Sequence, residues 1–315
     1  MDLSSRVWIP MTADRTPSPL ERLLPDKIRV AILANPHAGT GKSHRLVEAL
    51  VGALRGHGFA PHLCWQREEL TELVRGAREE LRCIVAAGGD GTLLEVINRA
   101  PGLPVTILPL GNENLVARFC RLKRSARKTA DVVAAGRLRR TDLARVNGRL
   151  FCLMAGVGFD AEVVHRVHER RRGHINKLSY VLPILQAMGS YSYPIIQAEV
   201  EETGERLLGA MAFVFNIPQY ALGLPVARGA DAADGRLDLY VFERPGLIHL
   251  ARYLIAILSG RQQRLPDFQH RSVRSVRLSS DRRAPLQIDG DPGGWLPASL
   301  EIVPQALTLV VGPDR

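Results

Sequence analysis

The sequence has few aromatic residues, four cysteines and no long apolar run, and each shortage excludes a class of function. Phe, Trp and Tyr together make up 5% of 315 residues, a thin supply for a protein that stacks on successive bases. Cys64, Cys83, Cys120 and Cys152 form no CxxC pair, so neither a zinc site nor a redox dithiol is indicated. A chain this long needs no disulfides to hold a core, and the four read as reduced thiols of a cytoplasmic protein. The most apolar stretches, 84–87, 105–110 and 247–258, fall short of the roughly 20 residues that carry a helix across a bilayer. Residues 1–26 lack the apolar centre of a signal peptide and read as a flexible, proline-containing lead-in.

What is present is an ordinary globular balance, 46% apolar and 23% charged, with 42 Lys and Arg against 32 Asp and Glu. The resulting +10 favours an anionic partner. Apolar runs at 28–34, 61–65, 83–87 and 105–108 alternate with helical spacing after the first three. Such βαβα alternation predicts a Rossmann-like α/β domain over 27–141, with a parallel sheet and ligands at the carboxyl ends of its strands. From 142 to 315 short strand-like runs dominate, at 150–153, 195–201, 210–215, 237–242, 273–279, 286–288 and 307–311, with helical spacing at 162–169, 176–188 and 247–259. This half is expected to be a β-rich, sandwich-like domain, its last strand free to return to the first.

Three segments follow strands directly. Residues 88–92, GGDGT, place three glycines where backbone amides can approach a phosphate, ahead of a helix N-terminus. Asp90 cannot bind phosphate by charge, so it meets a metal or a hydroxyl, or else serves as a helix cap. Residues 35–43, NPHAGTGKS, end like a Walker loop, but Pro36 stands where that motif needs a glycine. A different glycine loop or a plain βα turn remains open there. Residues 109–118, PLGNENLVAR, turn at Gly111 and offer Asn112 as an amide ligand or as a helix N-cap.

In this order and spacing, NPHAGTGK, GGDGTLLEVIN and PLGNENLVAR resemble the diacylglycerol kinase catalytic-domain family, which includes bacterial lipid kinases and the sphingosine and ceramide kinases. The likeness extends to MAGVGFDA at 154–161, GLPVARGADAADGRLD at 223–238 and LQIDGDP at 286–292, and so covers about residues 28–311. It implies ATP-dependent, Mg2+-dependent transfer of a γ-phosphate to a lipid hydroxyl, in a cleft between the two domains. By position, Asn35, Gly39, Gly88, Gly89, Asp90, Gly91, Thr92 and Asn112 would hold the nucleotide. Asp231, Asp234 and Arg236 would hold Mg2+, partly through carbonyls. Asp291 would take the hydroxyl proton, with Asp289 beside it and Asp90 across the cleft.

The sequence departs from the family pattern GTxND, having Asn112 for the Thr and Leu115 for the Asp, and it has Asp291 where the family has Glu. A non-catalytic nucleotide- or lipid-binding homologue therefore stays open. An NAD kinase shares GGDG, but no TPTGSTAY-like segment follows here. Asp289-Gly290 is also a strong turn pair. The basic run 165–177, HRVHERRRGHINK, reads as a solvated helix end or as a contact for anionic lipid headgroups, and no reading helix accompanies it for nucleic acid. The helix expected at 247–259 is amphipathic, suited to core packing or to membrane docking. A peripheral membrane association is expected, and a homodimer is left open.

Overall fold

The computed structural model describes residues 21–35, 42–169, 181–220 and 223–312. Strands Arg29–Ala34 (β1), Ala60–Cys64 (β2), Leu81–Gly88 (β3) and Val105–Pro109 (β4) pair in parallel in the order β2-β1-β3-β4. Helices Lys42–Gly56 (α1), Arg67–Ala77 (α2) and Asp90–Arg99 (α3) make the crossovers. Every residue of β3 and β4 is buried, as a parallel sheet covered on both faces requires. In β1, Val30, Ile32 and Ala34 join the core that holds Leu50 and Leu54 of α1, while Ala31 and Leu33 join the core that holds Leu70 and Leu93. Ala126–Ala135 (α5) escaped the sequence reading, and the short Leu115–Phe119 (α4) follows the turn at Gly111, where a helix start was one of two readings. The buried face of α5 is Ala126, Thr129, Ala130 and Val133, too small and mixed to stand out as an apolar stripe.

Arg137–Val146 (β5) runs unbroken through residues 141 and 142, so no linker separates the two halves. Beyond it come Arg149–Phe151 (β6), Met154–Val157 (β7), Phe159–Glu169 (α6), Val181–Ser190 (α7), Ile196–Val200 (β8), Arg206–Gly209 (β9), Met211–Phe215 (β10), Gln219–Tyr220 (β11), Leu224–Pro225 (β12), Leu237–Phe242 (β13) and Leu247–Leu258 (α8). Phe268–Val273 (β14), Ser275–Ser280 (β15), Pro285–Ile288 (β16), Asp291–Trp295 (β17) and Ala298–Val311 (β18) complete the chain. The single strand expected at 273–279 is two, broken at Arg274, because β14 and β15 belong to different sheets.

The fourteen-residue β18 joins the halves. It pairs antiparallel with β15 and along β5, and Leu309 meets Val105 of β4 in parallel register. One ten-stranded sheet therefore spans both halves, and a six-stranded antiparallel sheet, β14-β13-β10-β7-β16-β17, packs on its C-terminal part. Between them, alternate residues such as Val157, Val214, Leu239, Val276 and Leu300 form a sandwich core. The outer face of the six-stranded sheet carries Phe213, Phe215, Tyr240 and Phe242, covered by α6 and α8.

Candidate active site

The carboxyl ends of β1, β3 and β4 lie side by side because the strands are neighbours in the sheet. The Asn35 amide donates to the Ala87 carbonyl at 3.2 Å, and the Leu110 amide to the Gly88 carbonyl at 2.9 Å. At Gly111 an added Cβ would lie 2.6 Å from the Gly89 Cα, so the two glycines allow the loops to touch backbone to backbone. Gly88 is crowded in its turn, since a Cβ there would lie 2.1 Å from the Thr92 hydroxyl. Gly91 differs: it is exposed, and no atom lies within 4 Å of where its Cβ would stand. The glycines expected to cradle phosphate thus divide. Gly88 and Gly89 serve the packing of the loops, and Gly91 faces open space. Thr92 is buried and its amide donates to the Gly89 carbonyl at 3.0 Å, which turns it toward the loop's own interior. Asn35 and Asn112 are exposed at the rim. Gly39 and the rest of 36–41 lie outside the described residues, as do Arg170–Arg172 of the basic run.

Asp90 begins α3 but does not cap it; the cap position is Gly89. Its carboxylate instead accepts the Leu115 amide at 2.9 Å and the Val116 amide at 3.1 Å, joining the glycine loop to the start of α4. Burial raises its pKa, partly offset by these two bonds. The cap position of α4 is Asn114, in left-handed conformation at φ 50°, rather than Asn112. The Asn114 amide group folds back, accepting from the Gly111 amide at 2.9 Å and donating to its carbonyl at 2.7 Å.

From the other half, Asp289 enters at φ 51° on the β16–β17 turn. It accepts the amides of Cys152, Leu153 and Met154 at 2.9, 2.8 and 2.9 Å, and the Cys152 thiol at 3.3 Å. Burial pushes its carboxyl up to about 6 despite these bonds. Both Asp90 and Asp289 are thus engaged by backbone amides and hold the loops in place. The Cys152 thiol lies between them: burial raises its pKa well above the ordinary value, and the charges of Asp289 and Asp90 raise it further. The glycine loop and the IDGD turn, far apart in sequence, therefore border one buried residue.

Asp291 is the carboxylate of the turn that remains open, with 43% of its side chain exposed. Its Oδ1 lies 3.1 Å from Nε2 of His168, whose Nδ1 lies 3.1 Å from the Val164 carbonyl. Two acceptors face that ring. The turn is braced from below. The Gln287 side chain accepts the Gly290 amide at 2.9 Å and donates to Asp160 at 3.1 Å, and the Tyr220 hydroxyl also bonds Asp160. Beside it, α6, α7 and β17 border a polar groove of about 200 Å³ lined by Glu162, His165, Arg166, Glu169, Gln186 and Trp295.

Asp231 and Asp234 sit on one tight turn, their carboxylates accepting the amides of Ala233 and Arg236 at 3.1 and 2.9 Å. The Arg236 guanidinium turns away to Ser272, so only its carbonyl can serve a cation. Burial raises the pKa of Asp234, and the charges of Asp231, Asp238 and Asp142 add to this, a field that a hard divalent cation would relieve. The donor set, two carboxylates and a carbonyl, fits Mg2+. No group of three or more His, Cys, Asp or Glu with metal-binding geometry exists among the described residues.

Sequence reasoning missed Asp142, Asp160 and His168. Asp142 is buried opposite the irregularity in β18, where it accepts the Gly235 amide at 2.7 Å and the Gln305 amide at 2.8 Å. It thereby ties the Asp231–Asp234 turn to the strand that joins the halves. A charged residue flanked by Thr141 and Leu143 was the only signal, and it became legible only in three dimensions.

The profile of the diacylglycerol kinase catalytic domain matches residues 29–146, and that of the YegS C-terminal NAD kinase beta sandwich-like domain matches residues 154–311. The diacylglycerol kinase of Staphylococcus carnosus strain TM300 is 24% identical over 296 residues, covering 91% of this chain and 96% of that protein. The diacylglycerol kinase of Bacillus subtilis strain 168 is 26% identical over 279 residues, covering 85% and 91%. A solved structure of a diacylglycerol kinase from Bacillus anthracis strain Sterne shares the fold, with a TM-score of 0.67 at 17% identity over 91% of this chain and 97% of that one.

Proposed function

Because the chain belongs to the diacylglycerol kinase catalytic-domain family, we propose that it is an ATP-dependent lipid kinase. It transfers the γ-phosphoryl group to a hydroxyl of a lipid such as diacylglycerol or a sphingoid base. The observation that supports this reading is geometric: the Cys152 thiol bonds Asp289 of the IDGD turn and shares a small cavity with Val116, whose amide bonds Asp90 of the glycine loop, with the open Asp291 carboxylate on the same turn.

Phosphoryl transfer asks a protein mainly for positioning and for charge stabilisation. The open surface over Gly91, with Asn35 and Asn112 at its rim, receives the phosphates and the nucleoside. Asp90 acts on this edge indirectly by fixing α4 against the loop. Asp291 accepts the acceptor hydroxyl's proton, and His168 holds its carboxylate in place. Asp289 is a positioning residue that anchors the turn on Cys152–Met154. Asp231, Asp234 and the Arg236 carbonyl would hold Mg2+, which when bound supplies positive charge that orders this turn. The protein meets its lipid at an anionic membrane surface.

Incubation with γ-labelled ATP, Mg2+ and a panel of diacylglycerol, sphingoid bases and NAD, followed by product separation, tests the reading. A labelled lipid phosphate is expected. A labelled dinucleotide, or nucleotide binding without any turnover, would overturn it. The non-catalytic alternative keeps one supporting observation, the buried Leu115 at the family's Asp position.

A further inference from the structure

Helix α8 is held to the protein by one face only. Tyr253 packs its ring 4.7 Å from that of Phe242, its hydroxyl donates to Asp267 at 2.7 Å, and Arg252 pairs with the same carboxylate. The Arg244 amide donates to the Tyr253 hydroxyl at 3.0 Å, which fixes the chain entering the helix. The opposite face projects Leu247, Ile248, Leu254, Ile255 and Leu258 into solvent, with Ile248 84% and Ile255 67% exposed. Their spacing is that of a continuous apolar stripe. At twelve residues the helix is about 18 Å long, so it cannot cross a bilayer but can lie along one.

The charge around the stripe identifies what covers it. Arg244, Arg252, Arg261 and Arg264 flank it, and residues 244–266 contain no Asp or Glu. Of the two nearby carboxylates, Asp267 is buried beneath the helix, where it pairs with Arg252 and lies 3.7 Å from Arg244, and Glu243 is half-buried and accepts from the Gln269 side chain. A second copy of the chain docking here through two-fold symmetry would bring Arg261 and Arg264 of both copies to one interface, where residues 244–266 supply no acid. An anionic bilayer instead offers hydrocarbon for the stripe and headgroups for the arginines. The helix also lies on the face of the six-stranded sheet that leads to the site: Phe242 meets Phe213, Phe213 meets Tyr220, and Tyr220 bonds Asp160 under the Asp291 turn.

We infer that α8 is the surface by which this protein docks on an anionic membrane, its apolar stripe inserted at the interface and its arginines on the headgroups. The inference rests on the lipid-kinase reading only for the reason a bilayer is met. The test is co-sedimentation of the full chain with vesicles of phosphatidylcholine alone or mixed in equal parts with phosphatidylglycerol. The wild type should pellet with the mixed vesicles and be released by salt. Ile248→Glu/Ile255→Glu should weaken this roughly tenfold or more, with Tm unchanged because both side chains are exposed. Arg244→Glu/Arg261→Glu should weaken binding to the mixed vesicles selectively. Undiminished binding by the isoleucine variant, or no binding by the wild type, would overturn the proposal. So would a wild-type dimer in sedimentation velocity that the isoleucine variant dissociates. Phosphorylation of a short-chain diacylglycerol dissolved as monomer needs no docking and should match wild type in both variants. Its absence from the wild type would count against the kinase reading and leave the docking result standing.

Discussion

Replacing Asp289 with Asn should remove one pH dependence from the stability of the protein while leaving the turn in place. The carboxyl rises from 3.8 to about 6 on folding because burial disfavours its charge. A carboxyl raised in this way binds its proton more tightly in the folded state. Stability contributed by that proton is therefore full below about pH 4 and is lost as pH rises through about 6. At about 1.4 kcal/mol per pH unit the loss is at most about 3 kcal/mol, and solvent at the half-buried carboxylate screens it further. Asparagine does not titrate, so this loss disappears. Its oxygen can still accept from Leu153 and Met154, but its amino group would face the Cys152 amide and leave that donor unpaired, at a cost of about 1–3 kcal/mol. At pH 8 the two effects oppose, and the variant should lie within about 2 kcal/mol of wild type. At pH 4 it should fall further behind, by up to about 3 kcal/mol. Urea unfolding followed by circular dichroism between pH 4 and 8 gives the difference curve. A flat curve, or one of opposite slope, would refute the claim that Asp289 is a half-buried carboxylate whose pKa is raised by folding.

Gly91→Ala and Gly111→Ala should separate binding from packing. The first adds a methyl to open space and should weaken ATP binding at unchanged Tm, whereas the second forces backbone apart and should destabilise by about 1–3 kcal/mol, both measurable by calorimetry. Asp291→Asn should cut kcat sharply while sparing nucleotide affinity, and Asp291→Glu tests whether the turn tolerates the longer side chain; an Asn variant as fast as wild type would remove the base assignment. His168→Ala should lower kcat and shift the pH–rate profile without changing ATP affinity, and an unshifted profile would reduce His168 to packing. Asp90→Asn should lower both transfer and Tm, since one of two amide bonds to α4 loses its acceptor; full activity would show the loop is set without it.

The sequence alone determined the elements whose residues carry their own signal. The four parallel strands are apolar runs, and buried parallel strands need no alternation to be recognised. The loops after them are marked by glycine, whose missing side chain is visible at any stage. The order of those loops with the IDGD turn was enough to bring out the family resemblance. Tertiary structure decided what each residue does there. Asp90 and Asp289 have the composition of metal ligands, yet their partners are backbone amides supplied by α4 and by residues 152–154. No local pattern encodes a bond between positions so distant. Asp142 and His168 acquired roles only because β18 and β17 carry their partners to them. The helix at 247–258 shows the same division. Its amphipathic spacing could be read directly, but whether the apolar side faces a core or a bilayer depends on which face the sheet claims. Tyr253 and Ala256 took the sheet, and the broader stripe of leucine and isoleucine was left outward.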